Sequence, residues 1–234
     1  MRNDPAGNPN VLQRLGASLR RQGLRATLLK FAAILPDHWF DWHHGLDTCT
    51  TSALDAFTIT SENRQHGCRY QPTRLLPLRK FLGIFRPQFP ADSVLVDFGC
   101  GKGRVLLVAA DFGFREVRGI EFAHELCDIA RKNFSIYQAR RAGGTTCQVL
   151  EMDVTQYPIR PEENVFFMFN PFDEIILARV LDNIASSVQQ HRRNIWIIYC
   201  LPTGARLLDQ RSEFRRQQDL CLWGHSFTIY TNRS

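Results

Sequence analysis

The stretch VLVDFGCGKGR, running from Val94 to Arg104, decides how the rest of the chain is read. The run Ser93–Phe98 is short, apolar and rich in valine, as a buried parallel strand requires. Three glycines follow at alternate positions, Gly99, Gly101 and Gly103, and from Val105 to Phe114 apolar residues recur at helical spacing. A strand that turns through glycines into a helix brings backbone N–H groups and a helix N-terminus close to a ligand. The spacing bears on which ligand. A dinucleotide site uses G-x-G-x-x-G with the pyrophosphate on the helix end. Here the pattern is G-x-G-x-G, and Asp97 stands two residues before the first glycine. An acid at that point repels a pyrophosphate and suits a cationic or amino-acid-bearing ligand.

The residues downstream repeat the logic. Glu116–Phe122 (EVRGIEF) reads as a second strand carrying Glu121 at its end, where a carboxylate can accept from both ribose hydroxyls. A helix is expected from about Ala123 to Ala142, stopped by Gly143 and Gly144. Cys147–Val154 reads as a third strand closing on Asp153, placed to accept from the exocyclic amine of adenine. Asn164–Phe169 is a strongly apolar fourth strand running into Asn170, Pro171 and Phe172. A helix from about Asp173 to His191, a fifth strand Asn194–Cys200 and a short helix from about Gly204 to Ser212 come next. The tail holds two strand-like runs, Arg216–Leu222 and Phe227–Thr231, read as a hairpin.

Acid, glycines, acid, acid and N-P-F, each at a strand end, resemble motif I and its successors in the class I (Rossmann-like) S-adenosylmethionine-dependent methyltransferases. The resemblance implies an α/β fold: a seven-stranded, mostly parallel sheet with a C-terminal antiparallel hairpin, plus a helical and irregular N-terminal extension. It implies S-adenosylmethionine as cofactor, held by Asp97, Gly99, Cys100, Gly101, Gly103, Glu121 and Asp153. It covers about residues 70–234. The expected division is an extension over 1–72 and a methyltransferase domain over 73–234.

Upstream, FDWHHGLDT…NRQHGCRYQPT is similar to the front end of a group of little-characterised bacterial methyltransferase-like proteins, where an aromatic-x-Pro-Thr motif precedes a VDFGSGKGR-type loop. Cys100 stands here in place of that serine. The layout is more distantly similar to the non-SET protein-lysine methyltransferases, in which residues upstream of the sheet fold over the cofactor. This implies that Tyr70 and Thr73 contribute to the cofactor site. The chain has no counterpart of the nucleosome-binding tail found in the histone-directed members.

Methyl transfer from a sulfonium asks the protein for alignment, exclusion of water and a deprotonated nucleophile. Asn170, Pro171 and Phe172 stand at the end of the fourth strand, beside the expected switch point of the sheet. In families with N-P-P-[YF] at this place, the Asn side chain and the following carbonyl accept from a target amine and the aromatic ring stacks on it. N-P-F lacks the second proline, which leaves open a planar base amine or an alkyl-ammonium held by Phe172 with Tyr70 or Trp42. Asn170, Pro171, Phe172 and Tyr70 are therefore the expected catalytic residues. Asp173, Glu174 and Tyr70 are the nearby proton acceptors. The expected methyl acceptor is a protein side-chain amine, ahead of RNA or a small molecule.

Lys102 and Arg104 read either as phosphate ligands or as a charged first turn on a solvated helix, the second being favoured. His43 and His44 are adjacent with no partner at ligand spacing, so no metal is expected. His66, just before Tyr70, is a candidate for a lid over the site. The seven cysteines are scattered, odd in number and form no C-x-x-C, which points to a reducing, cytoplasmic setting rather than a disulfide framework.

Of the net charge of +6, residues 1–30 contribute +5 through Arg2, Arg14, Arg20, Arg21, Arg25 and Lys30 against Asp4. Leucines interleave with these cations from about Asn10 to Leu35, the pattern of a basic amphipathic helix ending near Pro36. Such a helix suits an acidic substrate, an anionic membrane or RNA surface, an Arg-rich transit peptide, or simple packing on the domain. Residues 37–73 read as irregular, and a helix from about Thr73 to Phe85 leads into the first strand.

Overall fold

The computed structural model describes residues 34–51, 57–59, 61, 63, 70–141 and 144–232. The basic segment before residue 34, and His66, lie outside the described residues. Seven strands form one sheet: β1 (Val94–Phe98), β2 (Glu116–Glu121), β3 (Thr146–Glu151), β4 (Glu163–Phe169), β5 (Trp196–Cys200), β6 (Phe214–Leu222) and β7 (His225–Asn232). Their order is β3-β2-β1-β4-β5-β7-β6. The first five run parallel, and β7 lies antiparallel between β5 and β6. The order reverses between β1 and β4, so a crevice opens at their carboxyl ends, where ligands of open α/β sheets bind.

Every residue of β1 is buried because both faces of the sheet are covered. On one face lie α2 (Leu75–Phe85), α3 (Arg104–Asp111) and α4 (His124–Gln138), with Phe81, Leu106 and Phe134 in the shared core. On the other lie α5 (Glu174–Gln190) and α6 (Ala205–Asp209), packed through Leu181, Ile184 and Leu208. Among the described residues no helix is long and apolar enough to cross a membrane.

Three local readings need correction. Residues 34–44 are helical (α1), running through Pro36 where irregular chain was expected. This helix turns Asp37, Phe40 and Asp41 inward and leaves Leu35, Trp39 and Trp42 exposed, so its apolar pattern points the wrong way for recognition. Phe40 joins the core shared with α2 and α3. Helix α4 stops at Gln138, short of the glycines, and just past it Arg141 pairs with Asp111 and lies 4.7 Å over the Tyr137 ring. The hairpin turn is the two residues Trp223 and Gly224, both at positive φ (49° and 81°), so the strands extend closer to the turn than their composition indicates.

Candidate active site

The glycine loop joins β1 to α3 with Gly99, Gly101 and Gly103 all at positive φ (76°, 53° and 83°). Its amides are largely spent inside the protein. Gly99 and Cys100 N–H donate to the Ile120 carbonyl, Gly103 N–H to that of Cys100, and Gly101 N–H to Glu121 Oε2 at 2.9 Å. A loop so satisfied does not form a phosphate cradle, which separates it from the dinucleotide and P-loop types. Close approach explains the glycines. A Cβ on Gly99 would fall 2.6 Å from Pro171 Cβ, and one on Gly101 would fall 2.2 Å from Cε2 of the Tyr70 ring. The space over Gly101 is filled by Tyr70, not left for a ligand.

A cavity of about 290 Å³ opens at the carboxyl ends of β1 to β4. Seven of the expected residues line it: Tyr70, Gly99, Glu121, Asp153, Asn170, Pro171 and Phe172. Asn63, Gln71, Met152, Phe169 and Leu201 line it too, and sequence reading missed them because none is a marked residue of a motif, Gln71 being only the variable position between Tyr70 and Pro72. Asp97, Cys100, Gly101, Gly103 and Thr73 do not line it. Asp97 is 2% exposed at the end of β1, and burial, then the nearby charge of Glu121, pushes its carboxyl well above the usual carboxylate range. The Cys100 thiol turns under the loop, 2.5 Å from where a Gly119 Cβ would stand, so it is a packing group. Gly103 sits against Ala130 of α4. The Thr73 carbonyl accepts from Arg104, which directs that residue behind the loop rather than into the cavity.

Each cavity carboxylate already has partners. Glu121 accepts the N–H groups of Gly101, Phe122 and Ala123 at 2.9–3.0 Å, tying the loop after β1 to the end of β2. Burial raises its pKa, and these three amides work against the rise. Asp153 accepts the Thr155 N–H and hydroxyl and caps the short turn 154–156, while its other oxygen takes Ser61 and Asn63. Burial raises the Asp153 pKa, but these hydrogen bonds outweigh it and hold the carboxyl below its ordinary value. Asn170 has φ 42°, a left-handed conformation that asparagine tolerates. Its amide oxygen accepts from the Tyr199 and Thr203 hydroxyls.

The expected proton acceptors are placed elsewhere. Asp173 caps α5 by accepting the Ile175 and Ile176 N–H groups, and Glu174 is exposed and does not line the cavity. The Tyr70 hydroxyl donates to the Thr48 carbonyl at 2.9 Å, and burial pushes the phenol above its ordinary pKa, so it stays protonated. Trp42 is 79% exposed on α1, in a surface patch with Leu35 and Trp39, and takes no part in the cavity. His43 stacks on Trp39 and His44 packs edge-on to Tyr137.

The donor set fits an adenosyl ligand bearing a sulfonium and an ammonium. Among the described residues, two carboxylates and no basic side chain line the cavity, and the rest of that lining is aromatic, apolar or neutral. When bound, S-adenosylmethionine supplies a methyl group on an activated sulfonium.

The sheet order, with its antiparallel β7 inserted between β5 and β6, is that of the class I S-adenosylmethionine-dependent methyltransferases. Residues 96–195 match the family model of a methyltransferase domain. Residues 96–195 thus carry a methyltransferase domain on the class I fold, the domain of an enzyme whose cofactor is S-adenosylmethionine. Among solved structures, it is similar to an RNA methyltransferase from Salinibacter ruber in complex with S-adenosyl-L-homocysteine (18% identity, TM-score 0.51, 69% of this chain and 93% of that one). It is also similar to magnesium protoporphyrin IX methyltransferase from Synechocystis PCC 6803 with bound S-adenosylmethionine (12%, 0.51, 68% and 78%). A third similar structure is the ribosomal protein L11 methylase from Lactobacillus delbrueckii subsp. bulgaricus (15%, 0.51, 67% and 77%). At these identities the likeness is one of fold. No curated protein matches the chain.

Proposed function

We propose that this enzyme methylates a nitrogen nucleophile, a lysine-like side-chain amine of a protein. The observation that carries the proposal is the character of the cavity: acidic and aromatic, with no lysine, arginine or histidine among the described residues that line it. Such a lining favours cations, both the sulfonium and an incoming amine, over a phosphodiester backbone. In this reading Glu121 and Asp153 hold the ribose and adenine ends, and Asp97 sets the electrostatics beneath the loop. Asn170, Pro171 and Phe172 orient the acceptor. The Thr203 hydroxyl on Asn170 is solvent-facing, and is the donor that an amine replaces. In the same reading residues 73–234 are the catalytic domain, and the chain before them selects the acceptor. The basic run at residues 1–30 supports contact with an anionic partner surface.

The test is a tritiated-methyl assay with the purified protein on protein, RNA and small-molecule fractions from cells lacking it. Label in the protein fraction, stable to hydroxylamine and recovered as methyl-lysine after hydrolysis, is the expected result. Label confined to RNA or to small molecules refutes the acceptor class.

A further inference from the structure

Lys102 and Arg104, the two cations of the glycine loop, are 3% and 2% exposed and face away from the cavity. Arg104 Nε donates to the Thr48 hydroxyl (2.8 Å) and its two terminal nitrogens to the Thr73 carbonyl (3.1 Å) and Cys49 Sγ (2.9 Å). The carboxylates of Asp37 and Asp41, both on α1, lie 3.2 and 3.7 Å from the same guanidinium. Asp41 in turn accepts the Thr48 and Cys49 N–H groups and the Thr48 hydroxyl at 2.6–2.7 Å. The Thr48 carbonyl takes the Tyr70 hydroxyl, and the Tyr70 ring lies on Gly101. Lys102 closes a second branch on the Asp47 carboxylate (2.9 Å) and the Thr50 hydroxyl. Asn133 of α4 joins Asp47 to the Lys102 carbonyl.

Both branches run from α1 and the segment after it to the three residues Gly101, Lys102 and Arg104. Their charges balance, with Arg74, Lys102 and Arg104 facing Asp37, Asp41 and Asp47, so the network adds no net charge beside the cavity. Buried ion pairs give little net stability compared with apolar packing, because desolvation offsets their attraction. What such pairs do supply is fixed geometry, here delivered to the loop from outside the sheet.

We propose that residues 37–50 are a latch for the cofactor loop, with Asp41 and Arg104 as positioning residues that hold Tyr70 on Gly101. The inference rests on the reading of the cavity as the S-adenosylmethionine site. The sequences FDWHHGLDT and GKGR are then two halves of one device. The cations of the loop are not phosphate ligands, because their donors are already committed.

The test compares wild type, Asp41→Asn, Tyr70→Phe and, as a destabilised control, Glu163→Gln. Glu163 belongs to a separate buried cluster with Arg118 and Tyr157 at the amino end of β4. Calorimetry with S-adenosylmethionine, methyl-transfer kinetics and melting temperature are measured on each preparation. Asp41→Asn is expected to raise the cofactor Kd and KM about tenfold, the size of one lost charge-assisted hydrogen bond, with kcat at saturation within about twofold of wild type. Tyr70→Phe, which keeps the ring and loses only its tether, is expected to shift the same way by about threefold. Glu163→Gln is expected to melt earlier and bind cofactor normally. Unchanged Kd in Tyr70→Phe and in folded Asp41→Asn overturns the latch, as does an equal loss in Glu163→Gln. If Asp41→Asn does not fold, Tyr70→Phe decides alone. Wild type that fails to bind S-adenosylmethionine instead refutes the underlying reading of the cavity.

Discussion

Replacing Gly101 by alanine tests whether Tyr70, and not a ligand, occupies the space above the loop. An added Cβ would stand 2.2 and 2.4 Å from two ring carbons of Tyr70, well inside van der Waals contact, on a backbone with φ 53°. The left-handed conformation alone costs an alanine about 1–2 kcal/mol. Relieving the clash means moving a ring whose hydroxyl is held by Thr48, and overpacking of this kind costs about 1–3 kcal/mol. If the ring leaves, its hydrogen bond goes too, roughly another 1 kcal/mol. The total is about 3–6 kcal/mol, against a typical domain stability of about 5–15. A double-mutant cycle isolates the part owed to the ring. In Tyr70→Ala/Gly101→Ala the clash is gone and only the backbone term remains, so the coupling energy between the two sites should be about 2–4 kcal/mol. Chemical denaturation of the four proteins measures it. A coupling within about 0.5 kcal/mol of zero, the limit for independent sites, would falsify the placement of Tyr70 on the loop.

Three further outcomes are expected. Asp97→Asn should change the pH dependence of the cofactor-free protein. The buried Asp97 carboxyl has its pKa raised above 3.8, so the folded state binds the extra proton and stability falls as pH rises from about 4 through the raised value. The Asn variant should lack that fall, melt higher near neutral pH and bind cofactor more weakly; parallel melting curves across pH would count against it. Asn170→Gly should relieve the left-handed backbone while Asn170→Ala retains it at about 1 kcal/mol. If the amide orients the acceptor, both lose turnover with cofactor affinity intact, whereas normal specific activity in the Gly variant reduces Asn170 to a turn residue. Trp223→Asn should raise stability by about 0.5–1 kcal/mol, since Trp223 is 68% exposed at positive φ in a two-residue turn that favours asparagine. An unchanged or lower melting temperature would contradict it.

The sheet was readable because four of the five parallel strands run into a polar residue at or just past their carboxyl ends. Asp97, Glu121, Asp153 and Asn170 mark the end of β1, the end of β2, the chain just past β3 and the chain just past β4. The cavity followed from the same residues, since open sheets gather strand ends at one edge. Their present bonding did not follow. Nothing local in the sequence shows that Glu121 accepts three amides, or that Asp153 anchors Ser61 and Asn63 from about 90 positions upstream. The helix end at Gln138 was missed for a similar reason: the chain leaves the helix before the glycines that composition marks as the stop, and Arg141 there pairs with the distant Asp111.

The latch was illegible for a more general cause. Periodicity reports where apolar side chains are buried, and it assigns charge to solvent by default. Helix α1 inverts that rule, with Asp37 and Asp41 inward and Trp39 and Trp42 outward, so its own pattern argued against its existence. Arg104 opens α3 with no local partner, and its nearest carboxylates stand 67 and 63 positions earlier. A buried cation is admissible only when paired, so an arginine beside a crowded glycine loop implies acids somewhere upstream. Two acids one helical turn apart, Asp37 and Asp41, were present as that complementary signal. The physical requirement links the two motifs even though no periodicity does, and it makes Asp41 the residue whose loss the cofactor loop should feel first.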